Sequence, residues 1–183
     1  MHIFTAPATL GHTDCERVAG VALAQPVLAV TSLAYVVVGM VVLWWAMRTT
    51  AMLAALTGLA AVTVGLGSFA YHGPQPPWAQ TAHDWPIVAL VVICAAGVAR
   101  SRLRVRRSLW ATAAGVFALG LLAYAAGRSG SPLCRPDSLW QFHGAWHVLS
   151  AVAVGVAARA MTPHPMEPSE AQRLGRGRRH RTL

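Results

Sequence analysis

The sequence has no lysine, few acidic residues and little charge of any kind. Its 183 residues include 15 basic residues, all of them arginine, and only 6 acidic ones. Charged residues make up 11% of the chain, whereas a soluble domain carries about 25%. This shortage of charge excludes an ordinary water-soluble domain, and the hydrophobic content of 55% predicts a membrane protein instead.

The arginines are clustered beside hydrophobic runs, as they are in the cytoplasmic loops of membrane proteins. Most of them fall in two stretches, residues 100–107 (RSRLRVRR) and the tail 159–181, and both stretches flank hydrophobic runs. A strongly basic chain suggests nucleic-acid binding, but arginines beside hydrophobic runs are typical of cytoplasmic loops and of contact with anionic lipid. We therefore expect the membrane as a partner and no nucleic acid.

Five hydrophobic runs approach the length of about 20 residues that a membrane-spanning helix requires. They cover residues 21–47, 52–71, 84–99, 109–127 and 139–161. The third run is short, but it can begin earlier, within TAHDWPI (81–87), if its polar start faces protein or water. The sequence thus predicts an all-α integral membrane protein, a bundle of about five transmembrane helices.

The distribution of arginine also predicts an orientation. Placing Arg48, the 100–107 loop and the tail on the cytoplasmic side puts 12 of the 15 arginines inside, in agreement with the positive-inside rule. The chain then divides into an extracytoplasmic segment (1–20), a helical membrane domain (21–161) and a basic, disordered cytoplasmic tail (162–183). The first 19 residues lack the basic start and apolar stretch of a cleavable signal peptide.

Two of the three cysteines fall on the outer side in this topology. Cys15 precedes the first span and Cys134 precedes the last, so both face the oxidising side of the membrane, where a disulfide can form. Sequence does not show whether their Cα atoms come within bonding distance. A disulfide between them and two free thiols are both compatible with the sequence.

Ionisable side chains in or beside the spans are few, and the topology places them at one face of the membrane. They are His72, His83, Asp84, His143 and His147. Such residues are costly in hydrocarbon and indicate function by default. The last two are four residues apart, so both project from one face of a helix, and Ser68 and His72 have the same spacing. Three histidines and an open fourth position are the ligand set of a catalytic zinc.

Each of these residues also has an ordinary explanation. A histidine near the end of a span, such as His83, is usually an interfacial residue with a satisfied hydrogen bond. Ser68 can bond back to the carbonyl one turn earlier, and Asp84 can cap the third helix. Their coincidence at one depth favours a shared site over these separate roles.

Three motifs in the spans occur in an order that is found in a known superfamily. They are Ser-x-x-x-His (Ser68, His72), an aspartate shortly before an apolar span (Asp84), and His-x-x-x-His (His143, His147). This order resembles the CREST superfamily, which unites alkaline ceramidases with adiponectin-type receptors. The stretches DCE (14–16), QPVLAVTSLAY (25–35) and WAQTAHDWPI (78–87) are similar to its bacterial alkaline-ceramidase-like members, and the resemblance covers residues 15 to about 158.

The resemblance implies a zinc-dependent amidohydrolase in the inner (cell) membrane of a bacterium. Its substrate would be a ceramide-like or other N-acyl lipid, cleaved at a linear, non-peptide C–N bond. In that role His72, His143 and His147 bind zinc, while Ser68 and Asp84 position the attacking water and stabilise charge. The lipid is then the partner, and zinc is the cofactor.

The chain departs from the family in three respects. Family members usually have seven spans, so five spans predict a shortened version of a seven-helix fold. Two family asparagines are missing, near Leu28 and Ser32. The acidic N-terminal segment of eukaryotic ceramidases binds calcium, whereas here only Asp14 and Glu16 supply carboxylates. Calcium binding is in doubt, because calcium takes six or more oxygen ligands.

Other functions are compatible with part of the same pattern. A zinc-containing, receptor-like binding protein would have a closed four-ligand site and no turnover. A serine intramembrane protease would use Ser68 as its nucleophile, but it would leave two of the three histidines and Asp84 unexplained. A metal transporter needs polar residues along the whole membrane path, whereas the inner halves of these spans are apolar.

Overall fold

The computed structural model describes residues 10–19, 22–100 and 103–162, and within them the protein consists of α-helices joined by loops. The helices are α1 (Pro26–Thr49), α2 (Met52–His72), α3 (Ala79–Arg100), α4 (Leu103–Ala126) and α5 (Phe142–Ala160). The described residues contain no strand, and they include an isolated β-bridge between Asp14 and Arg128. The predicted all-α class is confirmed.

Four of the helices are long and apolar enough to cross a membrane. They are α1, α2, α3 and the part of α4 from Arg106–Ala126. α5 carries two histidines and Arg159 among its 19 residues, and these lower its mean hydropathy. The two histidines are buried, so they contact protein, as polar groups at membrane depth require. These helices support an integral membrane protein with four candidate spans and a fifth helix packed among them.

α1 begins later than the sequence predicts, at Pro26 instead of residue 21. Proline suits the first turn of a helix, because its missing N–H is not needed there. The carboxylate of Glu16 accepts hydrogen bonds from the backbone amides of Val27 and Leu28, both at 2.8 Å. A side chain that lies outside the helix therefore caps its first turn.

α3 and α4 begin earlier than predicted. α3 starts at Ala79, five residues before the predicted residue 84, and α4 starts at Leu103, six residues before the predicted residue 109. The earlier start of α3 places His83 and Asp84 in the second turn of the helix. Asp84 is therefore not the cap of α3.

The helices pack in the spatial order α3, α2, α1, α5, α4. α1 packs along α2 and α5, α2 also touches α5, α3 packs on α2, and α4 packs on α5. Gly67 lets α2 and α3 approach closely, since a Cβ there would overlap the backbone carbonyl of Ala82. α3 and α4 stand at the two ends of this series and have few contacts with each other. A cavity lies between them and the central helices.

The N-terminal segment 10–19 is fastened to the loop between α4 and α5. The backbone amide of Cys15 donates to the carbonyl of Gly127 at 2.8 Å, and a disulfide joins Cys15 to Cys134, whose Cα atoms are 5.4 Å apart. An exposed ion pair links Arg17 to Asp137 at 2.6 Å. The hydrogen bond from Arg17 lowers the pKa of the Asp137 carboxyl. Of the two states that the sequence allows, a disulfide or two free thiols, the structure has the disulfide.

The two ends of the bundle differ in their ionisable residues. We call the end that contains His72 and His143 the histidine end. Arg48, Arg100 and Arg159 lie in the last turns of α1, α3 and α5, at the opposite end. This segregation agrees with the predicted orientation, which stays a prediction. Residues 1–9 and 163–183 lie outside the described residues, and with them nearly all of the tail predicted to be disordered.

Candidate metal centre

Three histidines from two helices meet at the histidine end of the bundle. One ring nitrogen from each of His72, His143 and His147 lies within 4.8 Å of the others, and all three side chains are buried. His72 is the last residue of α2, while the other two lie in the first two turns of α5. The structure therefore brings together the three residues that were predicted as metal ligands.

A buried amide fixes the tautomer of His72. Nε2 of Gln25 donates hydrogen bonds to the carbonyl oxygens of Gly11 and Glu16, both at 2.9 Å. Oε1 of Gln25 therefore accepts the hydrogen bond from Nδ1 of His72, at 2.8 Å. Because Nδ1 carries the hydrogen, Nε2 of His72 holds the lone pair, and this buried atom has no hydrogen-bond partner among the described residues.

A hydroxyl from α1 fixes the tautomer of His147 in the same way. Oγ1 of Thr31 donates to the carbonyl oxygen of Val27 at 2.8 Å. The hydroxyl oxygen is then the acceptor for Nδ1 of His147, 3.2 Å away. Nε2 of His147 is left with its lone pair, as in His72.

The third histidine faces a carboxylate from the N-terminal segment. Nδ1 of His143 lies 2.9 Å from Oδ1 of Asp14. The distance is that of a hydrogen bond, but the angle is not, so Nδ1 counts as unpaired. Oδ1 of the same aspartate also accepts a hydrogen bond from Nη1 of Arg128 at 2.9 Å. Each of the three rings thus presents Nδ1 to a different protein group.

This arrangement fits a metal ion of the zinc type. Imidazole nitrogen suits zinc, copper, iron and nickel, and three histidines with an open position are typical of catalytic zinc. Histidine ligands normally bind the metal through one nitrogen while the other nitrogen contacts an oxygen of the protein. Gln25, Thr31 and Asp14 supply that oxygen, one for each ring.

The two residues that were predicted to assist catalysis have different environments. Ser68 is buried and lines the cavity that contains the histidines. The side chain of Asp84 is 56% exposed, and its Oδ1 lies 2.7 Å from Nδ1 of His83. His83 is one of the described residues that line the cavity, whereas Asp84 is not. The structure does not bring Asp84 to the histidine cluster.

His83 belongs to the wall of the site. Its ring stacks on Tyr71 with centroids 4.5 Å apart, and it lies 6.2 Å from the ring of His72. The interfacial explanation of His83 is therefore incomplete, since the ring contacts the same cavity as the predicted ligands. The reason is geometric, because adjacent helical residues point about 100° apart and only one member of the pair can face inward.

The two carboxylates considered for calcium are engaged by other groups. Both oxygens of Glu16 accept backbone amides of α1, and burial raises the pKa of its carboxyl more strongly than those bonds lower it. Asp14 contacts Arg128 and His143. The contacts of both carboxylates with protein donors agree with the doubt about calcium.

The cavity beside the histidines has a volume of about 630 Å³. Along α5 its lining extends from His143 to Ala157, a distance of about 21 Å at 1.5 Å per residue. Away from the histidine end it is lined mainly by apolar and aromatic side chains, among them Leu90, Trp110, Phe117, Trp146 and Val154. The site is therefore a polar group of ligands at one end of a long apolar space.

The sequence did not reveal the groups that contact the ligand rings. Gln25 and Thr31 lie in QPVLAVTSLAY, a stretch that carried the resemblance without an assigned role. The only indication of their role in the sequence is that each is a polar residue near the start of an apolar helix, and this indication is weak on its own. The role of Asp14 depends on a contact across 129 residues, and no local pattern indicates it.

Comparisons with protein-family models, with curated proteins and with solved structures find no match to this chain. A function for the chain is therefore inferred from the chemistry and geometry of the histidine site.

Proposed function

We propose that the protein is a zinc-dependent intramembrane hydrolase that cleaves the amide bond of a ceramide-like or other N-acyl lipid. The observation that carries the proposal is the position of three histidine nitrogens at the polar end of a long apolar cavity. Such a cavity suits an acyl chain whose amide lies beside the histidines. The resemblance of the motifs to alkaline-ceramidase-like hydrolases supports the same activity.

Zinc bound by the three histidines would polarise the amide carbonyl and lower the pKa of a water molecule. The chain must hold three neutral imidazoles with their Nε2 atoms facing one point, and the contacts at each Nδ1 favour that arrangement. Ser68 precedes His72 by one helical turn and lines the same cavity. Its hydroxyl is proposed to donate a hydrogen bond to the carbonyl oxygen as negative charge develops there.

We assign proton transfer to His83 and Asp84 acting as a pair. The Asp84 carboxylate lies 2.7 Å from Nδ1 of His83, so it can hold the hydrogen on Nδ1 and leave Nε2 as the proton acceptor. His83 is the member that lines the cavity. An imidazole held in this way can take a proton from the attacking water and pass it to the leaving amine.

The large cavity beside the histidines favours turnover over a closed structural site. A receptor-like zinc protein remains the alternative, and it would bind lipid without releasing a product. A serine protease would depend on Ser68 but not on metal. Chelation therefore separates the serine mechanism from the other two, and product release separates the hydrolase from the receptor.

The test is the release of fatty acid from a panel of N-acyl lipids by protein purified in detergent. The protein is assayed as purified, after chelation, and after zinc is restored, beside His147→Ala, Ser68→Ala and His83→Gln. We expect chelation and His147→Ala to abolish release, and Ser68→Ala to reduce it about 100-fold or more with zinc retained. His164→Ala, in the sequence after α5, is the control. Release that survives chelation, or none from any lipid by zinc-loaded protein, would refute the proposal.

A further inference from the structure

The N-terminal segment inserts one carboxylate into the histidine cluster. Asp14 has only 6% of its surface exposed. Its Oδ1 lies 2.9 Å from both Nδ1 of His143 and Nη1 of Arg128, and its Oδ2 lies 4.0 Å from Nδ1 of His72. A buried carboxylate thus lies at hydrogen-bond distance from Nδ1 of one candidate ligand, His143, and 4.0 Å from Nδ1 of another, His72.

The backbone on both sides of Asp14 is held in place. Its own amide donates to the carbonyl of Gly11 at 2.9 Å, and the carbonyl of the preceding Thr13 accepts the amide of Ser129 at 2.9 Å. The following residue, Cys15, forms the disulfide with Cys134. The carboxylate is therefore fixed by its neighbours and is not a mobile side chain that happens to lie near the histidines.

We propose that Asp14 is a positioning residue of the metal centre. When the ring of His143 rotates into line, the carboxylate of Asp14 accepts the hydrogen on Nδ1 and holds the ring so that Nε2 faces His72 and His147. The N···O distance is already that of a hydrogen bond, so alignment needs a change of ring angle and no approach of the two groups. Carboxylate–histidine–metal contacts of this kind orient the ring and raise the basicity of the ligand.

Arg128 sets the position of the carboxylate and balances its charge. Its guanidinium donates to Oδ1 of Asp14 and lies over the ring of Tyr124, with 5.3 Å from Cζ to the ring centroid. A buried carboxylate is costly without a partner, and Arg128 supplies the partner from the loop that follows α4. The pair thereby connects α4 to a histidine of α5 through the N-terminal segment.

The inference rests on the metal-binding part of the proposed function and not on the identity of the substrate. A purely structural Asp14 would tie the N-terminal segment to Arg128 and leave metal affinity unchanged. A positioning Asp14 must change metal affinity even where the protein remains folded. Zinc affinity, measured by competition with a chelator, is therefore the deciding quantity.

The experiment compares Asp14→Asn and Asp14→Glu with Asp137→Asn in the full-length protein. Asp137 is a matched control, because it also pairs with an arginine, Arg17 of the N-terminal segment, but lies in an exposed pair. We expect Asp14→Asn to weaken zinc binding about 10- to 100-fold, Asp14→Glu to weaken it less because the charge is kept, and Asp137→Asn to bind like the wild type. The absorption spectrum of the cobalt-substituted protein should change in Asp14→Asn and stay unchanged in Asp137→Asn.

Two results would overturn the proposal. The first is wild-type zinc affinity in folded Asp14→Asn, and the second is an equal loss of affinity in Asp14→Asn and Asp137→Asn. If Asp14→Asn does not fold, Arg128→Gln is the deciding variant, because it keeps the carboxylate of Asp14 but removes the guanidinium that holds it in position. Unchanged zinc affinity in Arg128→Gln would then contradict the proposal, and a loss larger than that of Asp137→Asn would support it. A loss of affinity in Asp14→Asn without lipid hydrolysis by any variant would support Asp14 and refute the hydrolase.

Discussion

Replacing Gln25 by methionine should weaken metal binding without touching a ligand. Gln25 is fully buried, and its Oε1 accepts the hydrogen bond from Nδ1 of His72. Methionine keeps a similar volume but cannot accept that bond with comparable strength. Loss of such a contact typically costs 10- to 100-fold in metal affinity, which is about 1.4–2.8 kcal/mol.

The same substitution removes two hydrogen bonds to the N-terminal segment. Nε2 of Gln25 donates to Gly11 and Glu16, and each bond contributes about 0.5–1.5 kcal/mol to stability. Gln75→Met is the matched control, because Gln75 also exchanges two hydrogen bonds with the segment, at Leu10. Gln75→Met should therefore lower stability by a comparable amount and leave the His72 contact intact.

The assay is competition for zinc between the protein and a chromophoric chelator, with the melting temperature of the metal-free protein measured in parallel. We expect Gln25→Met to lose about 10- to 100-fold in affinity and Gln75→Met to lose almost none. Equal losses would show that stability, and not the orientation of His72, controls binding. Wild-type affinity in Gln25→Met would refute the assigned tautomer of His72.

The disulfide, the cavity and the start of α5 each give a further prediction. Cys134→Ser should lower stability by about 2–4 kcal/mol, and reductant should lower the melting temperature of the wild type to match; no shift with reductant would contradict the bond. Ala114→Phe, in the cavity wall, should reduce kcat/KM for long-chain lipids by about fourfold for each methylene displaced with zinc retained. Ala118→Phe, on the same helix, is the control, and an equal effect of both would argue against the cavity. Gly127→Ala should lower both stability and zinc affinity, because a Cβ there would overlap the backbone nitrogen of His143. Gly115→Ala, where a Cβ meets no atom, should be neutral or stabilise by up to about 1 kcal/mol; equal losses in the two variants would refute this explanation.

The helical architecture and the candidate ligands could be predicted from local sequence patterns. Long apolar runs with clustered arginines indicate the helices, and an i, i+4 pair on one helix indicates that His143 and His147 share a face. To predict that His72 joins them, one assumption was needed: the C-terminal end of α2 and the N-terminal end of α5 lie at the same depth in the membrane. The five-helix topology supplied it, because both ends fall on the same side of the membrane.

The residues around the ligands could not be predicted because they depend on tertiary contacts. Starting α3 at residue 84 left Asp84 with two explanations, a catalytic role or an N-terminal cap, whereas the helix begins at Ala79 and it is His83 that lines the cavity. Asp14 was considered with Glu16 as a calcium ligand because of the resemblance to the acidic N-terminal segment of eukaryotic ceramidases. In the fold the two carboxylates have different partners: Glu16 accepts amides of α1, and Asp14 contacts Arg128 and His143.

The most direct test of the account is the metal content of the purified protein. Mass spectrometry of detergent-purified wild type beside His143→Ala should find about one zinc ion per chain in the wild type and little in the variant. That result would establish the three histidines as a metal centre and justify the search for a lipid substrate. A folded wild-type protein that holds no metal even after zinc is supplied would contradict the account.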